Sequence, residues 1–118
     1  MDVVAGWNEM GLLMHPNDVD RKRIERALAE RKRYRYVSPE VRGSDSGYWI
    51  QSPCCSRNVD REGGVIDIAR LEYMEGRRAW RLYRKDHAES EWLFYGEFLS
   101  LGTVLDVLNQ DPDRIFWQ

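Results

Sequence analysis

Ala79-Trp80-Arg81-Leu82-Tyr83-Arg84-Lys85 and Glu91-Trp92-Leu93-Phe94-Tyr95-Gly96-Glu97-Phe98, separated by the polar stretch Asp86–Ser90, decide the fold. Both are dense in aromatic residues, the composition of strands, and the short polar segment between them is a turn. Strands joined so briefly pair antiparallel. Upstream, Val65–Met74 reads as a third strand, and Glu75-Gly76-Arg77-Arg78 turns the chain back into Ala79. Tyr34–Ser38 and Tyr48–Ser52 read as the first and second strands. Pro39, which cannot donate to a ladder, ends the first, and the turn Gly43-Ser44-Asp45-Ser46-Gly47 leads into the second. Pro53–Gly64 is a longer polar connection. Short links between successive strands imply an antiparallel meander.

A helix is expected at each end of this sheet. Asn17 is placed to cap a helix from Asp18 to Arg33, and Asp20 sits where a carboxylate favours the first-turn amides. Its apolar stripe (Val19, Ile24, Ala27, Leu28) is narrow and the rest of its surface is charged. Ser100 caps the second helix, whose Leu101, Val104, Leu105 and Leu108 fall at i, i+3, i+4 and i+7. Asp111-Pro112 stops it, because the residue before a proline is pushed from helical geometry. Ile115-Phe116-Trp117 then ends the chain, three large apolar groups expected to dock on the core. The class is α+β: a five-stranded antiparallel meander sheet flanked by an N-terminal and a C-terminal helix. Residues 1–14 are expected to be a flexible arm and 15–118 a single domain.

The 118 residues are 42% hydrophobic and 32% charged, too apolar for a disordered chain and too charged for a membrane protein. Met1–Met14 carries Asp2 and Glu9 but no Lys or Arg, the wrong charge for an export signal, so a cytoplasmic location is expected. Cys54 and Cys55 are the only cysteines and are adjacent, which makes no disulfide framework. The net charge of −2 is uneven. Residues 1–20 carry −4, residues 21–42 carry nine bases and three acids, and residues 43–118 return to −4.

Alternation along the strands sorts side chains by face. Trp80 and Leu82 share one face with Trp92, Phe94 and Phe98, an apolar face for the second helix to cover. Arg81, Tyr83 and Lys85 share the other with Leu93, Tyr95 and Glu97. This second face is read in two ways: as a surface that stacks bases or holds an anion, or as a face half covered by the first helix, with arginine stems snorkelling to water.

Few constellations point to chemistry. The loop Cys54–Gly64 holds a thiol pair, Arg57, Asp60, Arg61 and Glu62, but a nucleophilic cysteine needs a base, and only His15 and His87 exist. Neighbouring cysteines lack the spacing of zinc ligands. Gly63-Gly64 is not a phosphate loop, since no Gly-Lys-Ser/Thr follows. No catalytic residue, metal or cofactor is expected. The basic helix can neutralise phosphates, against the acids Asp20, Glu25 and Glu30 on the same helix.

Ile24-Glu25-Arg26-Ala27-Leu28-Ala29-Glu30-Arg31 running into Tyr34-Arg35-Tyr36-Val37, Trp80-Arg81-Leu82-Tyr83 before Trp92, and the ending Asp111-Pro112 with Ile115-Phe116-Trp117 resemble an uncharacterised bacterial family, domain of unknown function 3024. The resemblance covers Val19 to Gln118, and the Asp-Pro…Phe-Trp ending is its most specific part. It implies no activity, cofactor or site residue. It also places residues 1–14 outside the shared domain and makes Met14 a candidate start.

The sequence therefore points to a non-catalytic cytoplasmic binding or regulatory module with a protein partner and no membrane. Its expected contact residues are Arg21, Arg23, Arg26, Arg31, Arg33, Arg57, Arg81, Tyr83 and Tyr95. Two alternatives stay open: a nucleic-acid binder using the same surface, and a small hydrolase centred on the Cys54–Gly64 loop with His87.

Overall fold

The computed structural model describes residues 14–32, 38–53 and 64–118. These hold helix α1 (Asp18–Leu28), strands β1 (Glu40–Ser44), β2 (Gly47–Pro53), β3 (Val65–Met74), β4 (Ala79–Asp86) and β5 (Glu91–Phe98), and helix α2 (Leu101–Gln110). The strands form one antiparallel sheet in chain order, β1-β2-β3-β4-β5. The fold is the α+β class expected. The expected flexible arm lies outside the described residues except for Met14.

Local chemistry explains most of the boundaries. Asn17 caps α1: its Oδ1 accepts from the Asp20 amide at 2.7 Å, and its Nδ2 donates to the Asp20 carboxylate at 3.1 Å. Ser100 caps α2 by accepting from the Thr103 amide at 3.1 Å. In α2 the expected stripe Leu101, Val104, Leu105 and Leu108 is buried. Gly47, at the start of β2, lies so close to β3 that an added Cβ would sit 1.8 Å from the Leu71 carbonyl oxygen. Only glycine fits there.

Three expectations are corrected. The first helix ends at Leu28, not Arg33. The Asn109 amide of α2 donates to the Ala27 carbonyl at 2.9 Å, and the chain then leaves in tight turns, Glu30 N–H to Ala27 O and Arg31 N–H to Leu28 O. Val19 is 65% exposed and takes no part in the apolar stripe, which reduces to Ile24, Leu28 and part of Ala27. The first described strand is Glu40–Ser44, and the hairpin loop is only Asp45-Ser46, because Val41 pairs with Ile50 and is buried with it. The expected strand over Tyr34–Ser38 falls outside the described residues apart from Ser38.

A further correction concerns the faces. Leu82 pairs with Gly96 but Tyr83 pairs with Phe94, so Tyr95 is an extra residue, a β-bulge. Side-chain parity reverses there. Phe98 stays beside Trp80 on the core face, whereas Phe94 and Trp92 pair with Tyr83 and Lys85 on the opposite one. Tyr95 instead turns its ring to Phe116, 5.1 Å between centroids. A matching shift between Ile50 and Gln51 makes Ile68 the extra residue of β3, and Ile68 and Ala69 are both buried.

Both helices lie on one side of the sheet. Ile24 and Leu28 of α1 belong to the same core as Leu101, Val104, Leu105 and Leu108 of α2, packed with Tyr48, Ile50, Leu71, Trp80 and Leu82. The first helix does not cover the amphipathic face. Phe116 and Trp117 complete the core, as expected of the tail.

The tail is fastened by Asp111, a buried carboxylate just past α2. It accepts from the amides of Ile115 at 2.8 Å, Phe116 at 3.2 Å and Trp117 at 2.8 Å. Trp117 Nε1 donates to the Leu108 carbonyl at 2.8 Å, and the Arg31 guanidinium lies 4.7 Å from the Trp117 ring centroid. Replacing the carboxylate leaves buried amides without acceptors. Asp111→Ala is expected to lower unfolding stability by about 2–3 kcal/mol in urea titration, with Asp111→Asn intermediate and exposed Asp113→Ala within about 0.5 kcal/mol.

Candidate functional site

The face of the sheet away from the helices carries side chains from all five strands. Its middle row is read directly from the register. Arg42 pairs with Trp49, Trp49 with Arg70, Arg70 with Tyr83, and Tyr83 with Phe94. Cations and aromatic rings share this row, and no acid interrupts it. The Arg70 guanidinium lies 6.0 Å from the Tyr83 ring centroid, and the Tyr83 and Phe94 rings meet edge to face at 5.9 Å. Phe94 is 57% exposed.

Acids occupy the rows on either side, and each is engaged. Asp67 accepts from Trp49 Nε1 at 2.7 Å and Gln51 Nε2 at 3.2 Å, and pairs with Lys85 at 3.1 Å. Lys85 in turn lies 4.9 Å from the Trp92 ring centroid. Glu72 accepts from the Tyr83 hydroxyl at 3.1 Å. Glu97 accepts from Arg77 at 2.9 Å and from Arg81 at 3.3 Å. Bonds from Arg77, then Arg81, hold the Glu97 carboxyl below the usual carboxylate range. Arg81 is itself 5.9 Å from the Phe94 centroid. The carboxylates thus fix the orientation of the rings and cations around the middle row.

At one end of this face is a polar recess of about 340 Å³, lined by Trp49, Gln51, Asp67, Lys85, His87 and Ser90 among others. His87 sits in the β4–β5 turn, which Asp86 shapes by accepting from the Ala88 and Glu89 amides. His87 Nε2 is buried with no hydrogen-bond partner among the described residues. Burial holds this imidazole below its ordinary pKa, with Asp67 pulling the other way. The chemistry expected of the Cys54–Gly64 loop, including Arg57 and Asp60, lies outside the described residues, which resume at Gly64.

A second histidine was given no role by sequence reasoning. His15 Nδ1 is 2.9 Å from the Tyr48 hydroxyl, which also accepts from the Asn17 amide at 3.0 Å. Its ring packs on Tyr73 and Trp80, at 4.8 and 4.6 Å between centroids. Burial pushes the Tyr48 phenol up to about 12 and holds His15 below its ordinary 6.5, against the pull of Asp20. This cluster pins the start of α1 to β2; nothing in the spacing of positions 15 and 48 announces it.

The sequence-expected contact residues are dispersed. Arg81 and Tyr83 lie on the open face. Tyr95 lies on the helix side, at the groove beside α2 and the tail. Arg21 and Arg23 are on α1, closed into pairs with Glu25 at 3.1 Å and Asp20 at 3.8 Å, and Arg26 stands exposed in its last turn. Arg31 is buried under Trp117, a structural position. Arg33 and Arg57 lie outside the described residues. Sequence reasoning missed Arg42, Trp49, Arg70, Trp92 and Phe94 as face residues. Bulge parity hid the last two.

The arrangement defines a class: an α+β domain whose two helices cover one side of an antiparallel sheet and leave a cation–aromatic face on the other. Residues 13–118 match the family described as Domain of unknown function (DUF3024), and the chain belongs to it. The match begins slightly before Val19, where the sequence resemblance was first drawn. No curated protein matches the chain. No solved structure matches it either. Among the described residues no helix is long and apolar enough to cross a membrane.

Two outcomes follow from this geometry. Phe94→Ala is expected to change stability by less than about 1 kcal/mol, whereas Phe98→Ala, four residues on but across the bulge, costs about 2 kcal/mol or more; chemical denaturation of both variants checks the face assignment. For pH, both histidines are held below 6.5, so the folded state favours the neutral rings. The unfolded chain binds protons first as pH falls, and the stability present above 6.5 is lost as pH falls through the folded values. Urea midpoints should therefore drop as pH falls below 6.5, and the drop should shrink in His15→Gln and His87→Gln.

Proposed function

We propose that this chain is a non-catalytic binding module of the bacterial cytoplasm whose contact surface is the open face of the sheet. One observation carries the reading: both helices pack on the same side, which leaves Trp49, Tyr83, Trp92 and Phe94 together on the other. Phe94 is exposed and the other three are half-buried; leaving ring surface in water costs hydration free energy, and rings gathered on one face mark a surface that meets something else. The surface is also prearranged. Asp67 holds Trp49, and Glu72 holds the Tyr83 hydroxyl, so little side-chain freedom remains to be lost on contact. The first helix faces away from this surface and takes no part in it.

The test places a photo-crosslinking residue at Phe94 in the native cell, with the exposed Val19 of α1 as the control site. Light-dependent adducts from position 94, absent from position 19 and reduced by Trp92→Ala, support the reading. No adduct from position 94, or equal adducts from both positions, overturns it.

A further inference from the structure

We infer that the open face binds single-stranded nucleic acid, with bases stacked along the Arg42–Trp49–Arg70–Tyr83–Phe94 row; this rests on the open face being the contact surface. The row crosses all five strands in direct register. At about 4.8 Å between strands it extends roughly 19 Å, room for roughly two or three splayed bases on a sheet platform. Every base has a π-face, so rings and guanidinium planes in one line accept any sequence.

The cations are placed for the backbone. Arg70 stands at the centre of the face and has no carboxylate within salt-bridge distance among the described residues. Arg81 and Lys85 lie over Phe94 and Trp92 in the flanking rows. The acids that would repel phosphate are engaged: Asp67 by Lys85, Trp49 and Gln51; Glu97 by Arg77 and Arg81; Glu40 by Arg42; and Glu72 by the Tyr83 hydroxyl. The face is nearly neutral overall, so binding is carried by stacking more than by counterion release, and its salt dependence is shallow.

Other occupants fit less well. A duplex needs a helix or ribbon projecting into a groove, and this face is a sheet with both helices behind it. A proline-rich peptide docks in furrows between rings. Here the Arg70 guanidinium stands between Trp49 and Tyr83, and the Tyr83 and Phe94 rings meet directly, a chemistry that bases and phosphates use and prolines do not.

The test uses the full chain with labelled single strands of thymidine or uridine, about 12 nucleotides long, at about 50 mM salt. Anisotropy and tryptophan quenching report binding. The expected result is binding of single strands in preference to duplex, weakened roughly five- to hundredfold by Tyr83→Ala and by Phe94→Ala, with thermal midpoints little changed. Arg23→Ala on α1 should leave affinity unaltered. The uridine and thymidine arms tell RNA from DNA as the source. Absence of single-strand binding, equal binding of duplex, or equal loss in Arg23→Ala overturns the inference, as does binding of a polyproline peptide with no binding of single strands. If single strands fail while the position-94 crosslinker still forms adducts, the nucleic-acid inference falls and the contact-surface reading stands. If both fail, both fall.

Discussion

The carboxylate of Asp111 ties together parts of the chain that would otherwise have no reason to meet. A left-handed residue at φ 33° ends α2 and turns the chain. The carboxylate then accepts three amides of the final residues, which satisfies buried donors and lays Trp117 against the helix. The Trp117 ring is the surface on which Arg31 rests. Asn109, two residues earlier, holds the Ala27 carbonyl near the end of α1. Through these contacts the tail and α2 hold α1 on their own side of the sheet. The second face is open because the first is occupied twice.

Which side chains reach that open face depends on the bulge at Tyr95. Without it, Trp92 and Phe94 would join Trp80 under the helices, and the outer rows would hold Leu93 and Tyr95 instead. One extra residue moves two large rings outward and sends a tyrosine toward Phe116. The shift at Ile68 does similar work on the other side of the sheet centre: it keeps Ile68 and Ala69 both inside while Asp67 emerges to meet Trp49 and Gln51. Bulges re-aim side chains at a local cost in ladder pairing. Here they set the composition of the exposed surface.

This explains what could be read from the chain. β3, β5 and α2 carried local signals at both ends: Gly-Arg turns, a capping serine, an Asp-Pro stop. Their limits were legible for that reason. The end of α1 was not, because Asn109 and Trp117 decide it from more than 75 positions away in the chain. Face assignment failed at Trp92 and Phe94 because strict alternation assumes an uninterrupted ladder, and a bulge between two aromatic residues leaves no mark beyond the neighbouring Gly96. The basic helix drew attention as a block of charge, yet its arginines pair along the helix at three- and four-residue spacings, the ordinary behaviour of a solvated surface. Tyr83 and Arg81 were found because their strand alternates cleanly.

A surface that mixes four acids with five cations looks ill-suited to a ligand of one charge sign, and bulk charge alone would argue against any polyanion. Position within the sheet changes that conclusion. The acids stand in the flanking rows, where each is bonded to a ring donor, a hydroxyl or a cation. A bonded carboxylate presents little free acceptor capacity and holds its partner in a fixed orientation. The middle row, free of acids, is then a line of π-faces and guanidinium planes in which Asp67 orients Trp49, Glu72 orients Tyr83 and Glu40 orients Arg42. Preorganisation of this kind lowers the ordering cost of contact. On the proposed reading the paired charges of this face serve to orient its rings, since surface ion pairs are individually worth little to stability.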